Sequence, residues 1–156
     1  MPELFTLGLA RPQEANRIAV MSRDLIEHGL EWTWTTARVR RCMEGRDHSV
    51  VVARREGDLA AFAVLRLNER DAHLNLLAVA SAHRRQGLGR RLIEWLCATV
   101  IEAGVFRMDL ELRLRNAGAR AFYESLGFVP VREMQGYYQG RESALRMSLR
   151  LATTPC

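Results

Sequence analysis

The chain has 156 residues, of which 48% are hydrophobic and 26% charged, and its net charge is +5 at neutral pH. This is the composition of one globular domain with a hydrophobic core, and no apolar run is long enough to cross a bilayer. All the basic residues are arginine and they are dispersed along the chain, so we expect neither nucleic-acid binding nor lysine Schiff-base chemistry.

The N-terminal stretch "MPELFTLGLARPQEA" lacks the basic start and the long apolar segment of a signal peptide, so we expect a cytoplasmic protein. The three cysteines, Cys42, Cys97 and Cys156, include no Cys-x-x-Cys pair. Neither a disulfide framework nor a zinc site is therefore expected. The four histidines show no metal-ligand spacing, and we expect no metal.

The first 45 residues predict one strand and two helices. A strand is expected over roughly 3–10, and Pro12 is suited to the first turn of the helix that follows it. Thr36 is predicted to cap a second, short helix that ends near Gly45.

Three strands are predicted next, over 48–54, 59–67 and 72–80, and short turns between them favour antiparallel pairing. A long helix follows, because apolar residues recur one turn apart from Leu88 to Val100 and Gly104 is suited to end it.

The last third predicts strand, helix, strand, strand. Residues 105–115 alternate strictly, with charged side chains on one face and apolar ones on the other. Asn116 is predicted to cap a helix that ends at Gly127, and two strands flank a turn at Gly140. The whole order predicts an α/β (α+β) fold with a mixed sheet and helices on its faces.

The segment "HRRQGLGRRL", residues 83–92, joins a predicted strand to a predicted helix. The start of a helix offers unpaired N–H groups and a positive dipole end, and Gly87 and Gly89 would let an anion approach the backbone. With four arginines around it, this turn is suited to a pyrophosphate. The P-loop motif is excluded because the chain has no lysine, and Leu92 stands where the dinucleotide fingerprint needs its third glycine.

Two motifs together resemble the GNAT superfamily of acyl-CoA-dependent N-acyltransferases. "RRQGLG", residues 84–89, fits its R/Q-x-x-G-x-G/A signature, and "NAGARAFYESLGF", residues 116–128, resembles its downstream Asn-helix-Tyr-x-x-x-Gly-Phe block. The resemblance covers at least residues 48–150, and "YYQGRESALRMSL" is similar to the RimI-type subfamily. It implies a single domain over 1–156, with about seven mostly antiparallel strands and about four helices.

The resemblance also implies where acetyl-CoA, the expected co-substrate, would bind. The backbone of the strand before the glycine turn would hydrogen-bond the pantetheine and polarise the thioester carbonyl. The residues implied in cofactor binding are Leu77, Ala78, Val79, Arg84, Arg85, Gln86, Gly87, Leu88, Gly89, Arg90, Asn116 and Tyr123. Asn116 is equally explained as a simple helix cap.

By the same resemblance Tyr123 is the general acid that protonates the leaving thiolate, although an aromatic residue on a helix is often only core packing. Glu111 is the implied general base, and the alternative is that it belongs to a salt-linked, solvated strand face. No cysteine lies in an activating context, so we expect direct attack by the amine in a ternary complex.

The acceptor side departs from the RimI pattern, because residues 27–44 do not align with it. Acceptor-binding candidates are Trp32, Trp34, Tyr137 and Tyr138, and Arg38, Arg40 and Arg41 would suit an acidic acceptor or simply solvate a helix. The tryptophans are alternatively core residues under a loop. A protein or peptide N-terminus is the expected acceptor; the alternatives are a small-molecule amine and a non-catalytic acyl-CoA-binding module. A homodimer is left open.

Overall fold

A computed structural model describes residues 4–151 of the chain. Its strands and helices are, in chain order, β1 (Thr6–Leu9), α1 (Ala15–Leu25), α2 (Thr36–Glu44), β2 (His48–Arg55), β3 (Asp58–Leu67), β4 (Ala72–Val79), α3 (Leu88–Glu102), β5 (Arg107–Arg113), α4 (Ala117–Ser125), β6 (Val129–Tyr138) and β7 (Glu142–Arg150). Short 3-10 turns at Pro12–Glu14 and Ser81–His83 precede α1 and α3.

The strands form one seven-stranded sheet in the order β1-β2-β3-β4-β5-β7-β6. All neighbours pair antiparallel except β4 and β5, which are parallel. One hydrophobic core contains the buried side of α3, and a second contains the buried sides of α1 and α2. The predicted mixed, mostly antiparallel sheet with helices on its faces is confirmed.

The sheet opens between β4 and β5. Their pairing is confined to Ala72–Met108, His73–Asp109 and Leu74–Leu110, although both strands continue. At the same point β4 carries one extra residue relative to β3, since Val64 pairs with Leu76 and Leu65 with Leu74. Such a bulge bends a strand away from its neighbour. The backbone of β4 beyond Leu74 is therefore left without a strand partner on the β5 side.

Local boundaries differ from the predictions in a few places. Thr35, not Thr36, caps α2, because its hydroxyl accepts the Arg38 N–H at 3.3 Å. The first strand begins at Thr6 within the described residues, and β5 is shorter at both ends than the predicted 105–115. Cap choice depends on backbone angles, which neighbouring threonines do not reveal in sequence.

Two of the three cysteines lie in the described part of the chain and both are free. Cys42 is buried, and Cys97 is half-buried at the edge of the first core, while Cys156 lies outside the described residues. Among residues 4–151, no helix has both the length and the apolarity needed to cross a membrane.

Candidate active site

Two cavities meet where β4 and β5 separate. The first, of about 810 Å³, is bordered by the segment after α1, by α2, and by the hairpin of β6 and β7. The second, of about 290 Å³, lies between the separated strands and reaches α4. Six side chains line both cavities: Ile26, Leu74, Asn75, Leu76, Glu111 and Tyr138. Two molecules that enter from different directions can therefore meet at Glu111.

The glycine turn lies at the start of α3. Arg85 and Gly87 both adopt left-handed backbone angles, with φ of 63° and 77°. The first hydrogen bond of the helix runs from the Arg91 N–H to the Gly87 carbonyl at 3.0 Å. The three N–H groups before Arg91 precede the helical ladder and are available to an anion.

The two glycines of this turn serve different purposes. A Cβ at Gly87 would meet nothing within 4 Å, so this glycine is required by its backbone angle and leaves open space above the turn. A Cβ at Gly89 would lie 2.9 Å from the Phe122 Cζ. The sequence-based idea that both glycines admit an anion is thus incomplete, because Gly89 allows α3 to pack closely against α4.

The remaining residues of the predicted cofactor site are arranged around this turn and the open strand edge. Arg84, Arg85, Gln86 and Arg90 are exposed, and the Arg84 Nε donates to the Val79 carbonyl at 3.4 Å. The Leu88 side chain is buried in the core, so only its backbone can contact a ligand. Leu77 lines the second cavity, and Ala78 is buried in the sheet.

Asn116 and Tyr123 border the second cavity from α4. The Asn116 Oδ1 accepts the Ala119 N–H at 3.0 Å, which confirms the predicted cap. Tyr123 is buried between Phe122 and Phe128, and burial raises the pKa of its phenol. Within residues 4–151 its hydroxyl makes no hydrogen bond, so a protonated donor faces the cavity.

Glu111 lies at the junction and is heavily engaged. Its carboxylate accepts from His73 Nε2 at 2.6 Å, from Arg146 Nε at 2.8 Å and from the Tyr137 hydroxyl at 3.1 Å. Its side chain is 4% exposed. Glu111 thus lines a cleft and is also salt-linked, so elements of both sequence-based interpretations hold; its face of the strand is not solvated there.

This network lowers the pKa of Glu111 and raises the pKa of His73. Burial would raise the pKa of Glu111, but the hydrogen bonds and charges of His73 and Arg146 outweigh burial and lower it to about 2. Burial would lower the pKa of His73, but its hydrogen bonds to Glu111 and Asn75 raise it above its ordinary value. Glu111 alone is therefore a weak base, whereas the imidazole of His73 titrates closer to neutral pH.

His73 is the functional candidate that sequence reasoning missed. In the sequence it is one of four histidines without metal-ligand spacing, and it lies 38 positions from Glu111 in the chain. The signal that could have found it is its place in the strand next to the candidate base. Its Nδ1 lies 2.6 Å from the Asn75 Oδ1. Rotation of the Asn75 amide exchanges acceptor for donor, so both protonation states of the ring can be satisfied.

The four acceptor-binding candidates separate into two groups. Trp34, Tyr137 and Tyr138 line the first cavity. Trp32 points elsewhere: its indole N–H donates to the Ala19 carbonyl at 3.2 Å, and Arg23 lies over its ring. Trp32 and Trp34 are therefore not neighbours on one extended face.

The first cavity is bridged along one side. The Glu31 N–H donates to the Gln139 Oε1 at 2.9 Å, and the Gln139 Nε2 donates to the Glu31 carbonyl at 3.1 Å. Below this bridge the buried Glu27 accepts from the Thr33 N–H and hydroxyl, both at 2.7 Å. The Glu31–Gln139 bonds hold the segment between α1 and α2 against the β6–β7 hairpin, and the Glu27 bonds fix the fold of the segment itself. None of these contacts is predictable from the sequence.

The free edge of β4 lies beside the glycine turn and the start of α3, as the resemblance to acyl-CoA-dependent enzymes implies. A comparison with known protein families points to the same family. The acetyltransferase (GNAT) family matches residues 18–128. The chain belongs to the GNAT family. It is thus an N-acetyltransferase that uses acetyl-CoA as co-substrate, and the exposed turn, open space at Gly87 and free β4 edge fit that co-substrate.

Known GNAT proteins resemble this chain in sequence and in structure. The [ribosomal protein bS18]-alanine N-acetyltransferase of Escherichia coli is 41% identical over 99 residues, which cover 62% of this chain and 67% of that protein. Human N-alpha-acetyltransferase 30 is 34% identical over 82 residues, or 53% of this chain and 23% of that protein. The crystal structure of the E. coli ribosomal-protein-S18-alanine N-acetyltransferase superposes with a TM-score of 0.81 at 29% identity, covering 97% and 96% of the two chains.

Proposed function

We propose that this chain transfers the acetyl group of acetyl-CoA to the α-amine of a protein or peptide N-terminus. The observation that carries the proposal is the meeting of a narrow and a wide cavity at Glu111. The wide one is large enough for several residues of an extended chain. The names of the bacterial and human relatives, an alanine N-acetyltransferase of a ribosomal protein and an N-alpha-acetyltransferase, support the same acceptor.

Acetyl-CoA would bind along the turn and the open edge of β4. Its pyrophosphate would lie over Gly87, held by the free N–H groups at the start of α3 and by nearby arginines. Its pantetheine would pair with the backbone of residues 75–79, in place of the strand partner that β5 no longer provides. A backbone N–H of Leu77–Val79 would polarise the thioester carbonyl. We also propose that residues 1–156 form a single acetyltransferase domain.

The chemistry would proceed by direct attack of a neutral amine on the thioester. The amine forms a bond to the carbonyl carbon and loses its proton to the pair of His73 and Glu111, directly or through a water. The C–S bond then breaks, and the leaving thiolate takes a proton from the Tyr123 hydroxyl.

Mass spectrometry after incubation with acetyl-CoA tests the proposed function. We expect an acetyl group on a peptide with a free N-terminus and none on the same peptide with an N-formyl group. An internal lysine in both peptides reports any side-chain acetylation. Acetylation of amino acids, polyamines or aminoglycosides with both peptides unmodified would contradict the proposal.

The pairing of His73 with Glu111 predicts a pH effect of known sign. In the wild-type protein the Glu111 carboxylate raises the pKa of His73, so the neutral base is lost as the pH falls through that raised value. In Glu111→Gln the charge is gone and burial dominates, so the His73 pKa is expected to fall. NMR titration of the imidazole and the acidic limb of kcat should both move to lower pH.

Glu94→Gln is the matched control, since Glu94 is an exposed carboxylate on α3 outside both cavities. It should leave the titration of His73 and the limb of kcat in place. In Glu111→Gln, the NMR titration of His73 could shift while the acidic limb of the kcat–pH profile stays in place. That result would assign the proton transfer to another group.

A further inference from the structure

Three arginines line the wide cavity on the side away from the glycine turn. Arg38 and Arg41 project from successive turns of α2, and Arg66 lies near the end of β3. Arg38 stacks on the Trp34 ring with its guanidinium carbon 3.7 Å from the ring centre. Within residues 4–151, none of the three forms an ion pair with a carboxylate. Arg38 is half-buried, whereas Arg41 and Arg66 are exposed, so all three guanidinium groups can be reached by a ligand.

The carboxylates that line the same cavity are already engaged by other donors. Glu27 accepts from the Thr33 and Trp34 backbone and from Ser22, and Glu111 from His73 and Arg146. Asp47 is paired with His48 at 3.0 Å. Among the described residues none of these carboxylates forms an ion pair with Arg38, Arg41 or Arg66. The three guanidinium groups therefore remain available, and each matches the geometry of a carboxylate that accepts two parallel hydrogen bonds.

The register of the sheet fixes how far this charge lies from the reacting amine. Arg66 is the cross-strand partner of His73, and His48 is the partner of Arg66 on the other side. Cross-strand partners lie roughly 5 Å apart at Cα. An amine at His73 and Glu111 is then within about two residues of extended chain, at ~3.3 Å per residue, from an anion bound by Arg66.

We propose that the acceptor of this enzyme carries a carboxylate close to its α-amine, as an aspartate or glutamate at the second or third position of a peptide. This inference rests on the proposed function, because it places the α-amine at the junction of the two cavities. A peptide with arginine or lysine at those positions would face three like charges in a partly enclosed space and would be disfavoured. The carboxylate of a free dicarboxylic amino acid offers the same chemistry from a different source.

Three peptides that differ only at positions two and three test the preference. All begin with alanine, and positions two and three are Asp-Glu, Gln-Gln or Arg-Arg. We expect kcat/KM to fall in that order, with a difference of about 10-fold or more between the first and the last. Equal values, or a preference for the Arg-Arg peptide, would overturn the proposal.

Variants of the cavity arginines locate the preference. Arg41→Gln and Arg66→Gln should each reduce, several-fold, the ratio of kcat/KM for the acidic peptide to kcat/KM for the neutral peptide. Both variants should leave the KM for acetyl-CoA unchanged. Arg41→Glu should raise the activity on the Arg-Arg peptide relative to the acidic one, a gain that damage to the fold cannot produce. Arg40→Gln is the matched control, since Arg40 lies on the same helix and outside the cavity. A ratio that Arg41→Gln and Arg66→Gln leave unchanged contradicts the proposal.

Free glutamate and glutamine separate this inference from the proposed function. If no peptide is acetylated but glutamate is preferred to glutamine, the peptide acceptor is wrong and the carboxylate preference of the arginines stands. If the peptides are acetylated with no preference for the acidic one, the carboxylate preference fails and the proposed function stands. If neither peptides nor these amino acids are acetylated in the presence of acetyl-CoA, both proposals fail.

Discussion

Replacement of Tyr123 by phenylalanine is expected to lower kcat about 100-fold, the usual contribution of one general acid. Tyr123 lines the narrow cavity, and its hydroxyl has no hydrogen-bond partner among residues 4–151. Burial raises the pKa of the phenol, so the hydroxyl is protonated at neutral pH. Steady-state kinetics with saturating acetyl-CoA and peptide measures the loss.

The same variant should bind acetyl-CoA as tightly as the wild type. Phenylalanine keeps the ring contacts with Phe122 and Phe128, whose centres lie 5.1 and 5.4 Å away. Calorimetry therefore separates chemistry from packing. Tyr138 is the informative comparison, because this half-buried tyrosine lines both cavities. Full turnover in Tyr123→Phe with a large loss in Tyr138→Phe would assign the proton donor to Tyr138.

Gly87→Glu is expected to weaken acetyl-CoA binding by about 100-fold or more, because like-charge repulsion at a binding site costs several kcal/mol. The substitution would place a carboxylate where the pyrophosphate is proposed to lie. Calorimetric titration with acetyl-CoA gives the affinity, and unchanged affinity would remove the pyrophosphate from this turn.

Gly104→Glu controls for the strain that the substitution adds. Gly104 follows the other end of α3, has a φ of 84° against 77° for Gly87, and likewise has nothing within 4 Å of an added Cβ. Both variants therefore carry the same charge and a similar backbone penalty. Only Gly87→Glu should lose the cofactor, and equal losses in both would point to general destabilisation.

The glycine turn and the cap of α4 could be read from the sequence because each depends on neighbours within a few positions. A left-handed residue before a helix favours glycine, and Asn116 satisfies an N–H three residues ahead. The role of Gly89 could not be read in this way. Its close approach to Phe122 is set by the packing of two helices that are separated by a strand.

The proposed proton-transfer site was likewise only partly predictable from the sequence. The alternating charges of β5 singled out Glu111, and the structure then shows that three donors surround it. His73 and Arg146 come from β4 and β7, the two neighbours of β5, and Tyr137 comes from β6. No spacing in the sequence relates these four residues, since sheet order differs from chain order between β5 and β6.

By itself the sequence determined the order of the helices and strands, because this order depends on local periodicity, capping and turn chemistry. It also carried two motifs whose resemblance to the GNAT superfamily indicated the family. Only the tertiary structure decided that side chains of β4, β6 and β7 meet Glu111 of β5 at the proposed reaction site. It also placed Trp34 in the cavity and Trp32 on α1, and brought Arg66 next to His73. The positions of these side chains follow from the strand register and from the separation of β4 from β5. Both depend on contacts between residues that are distant in the chain.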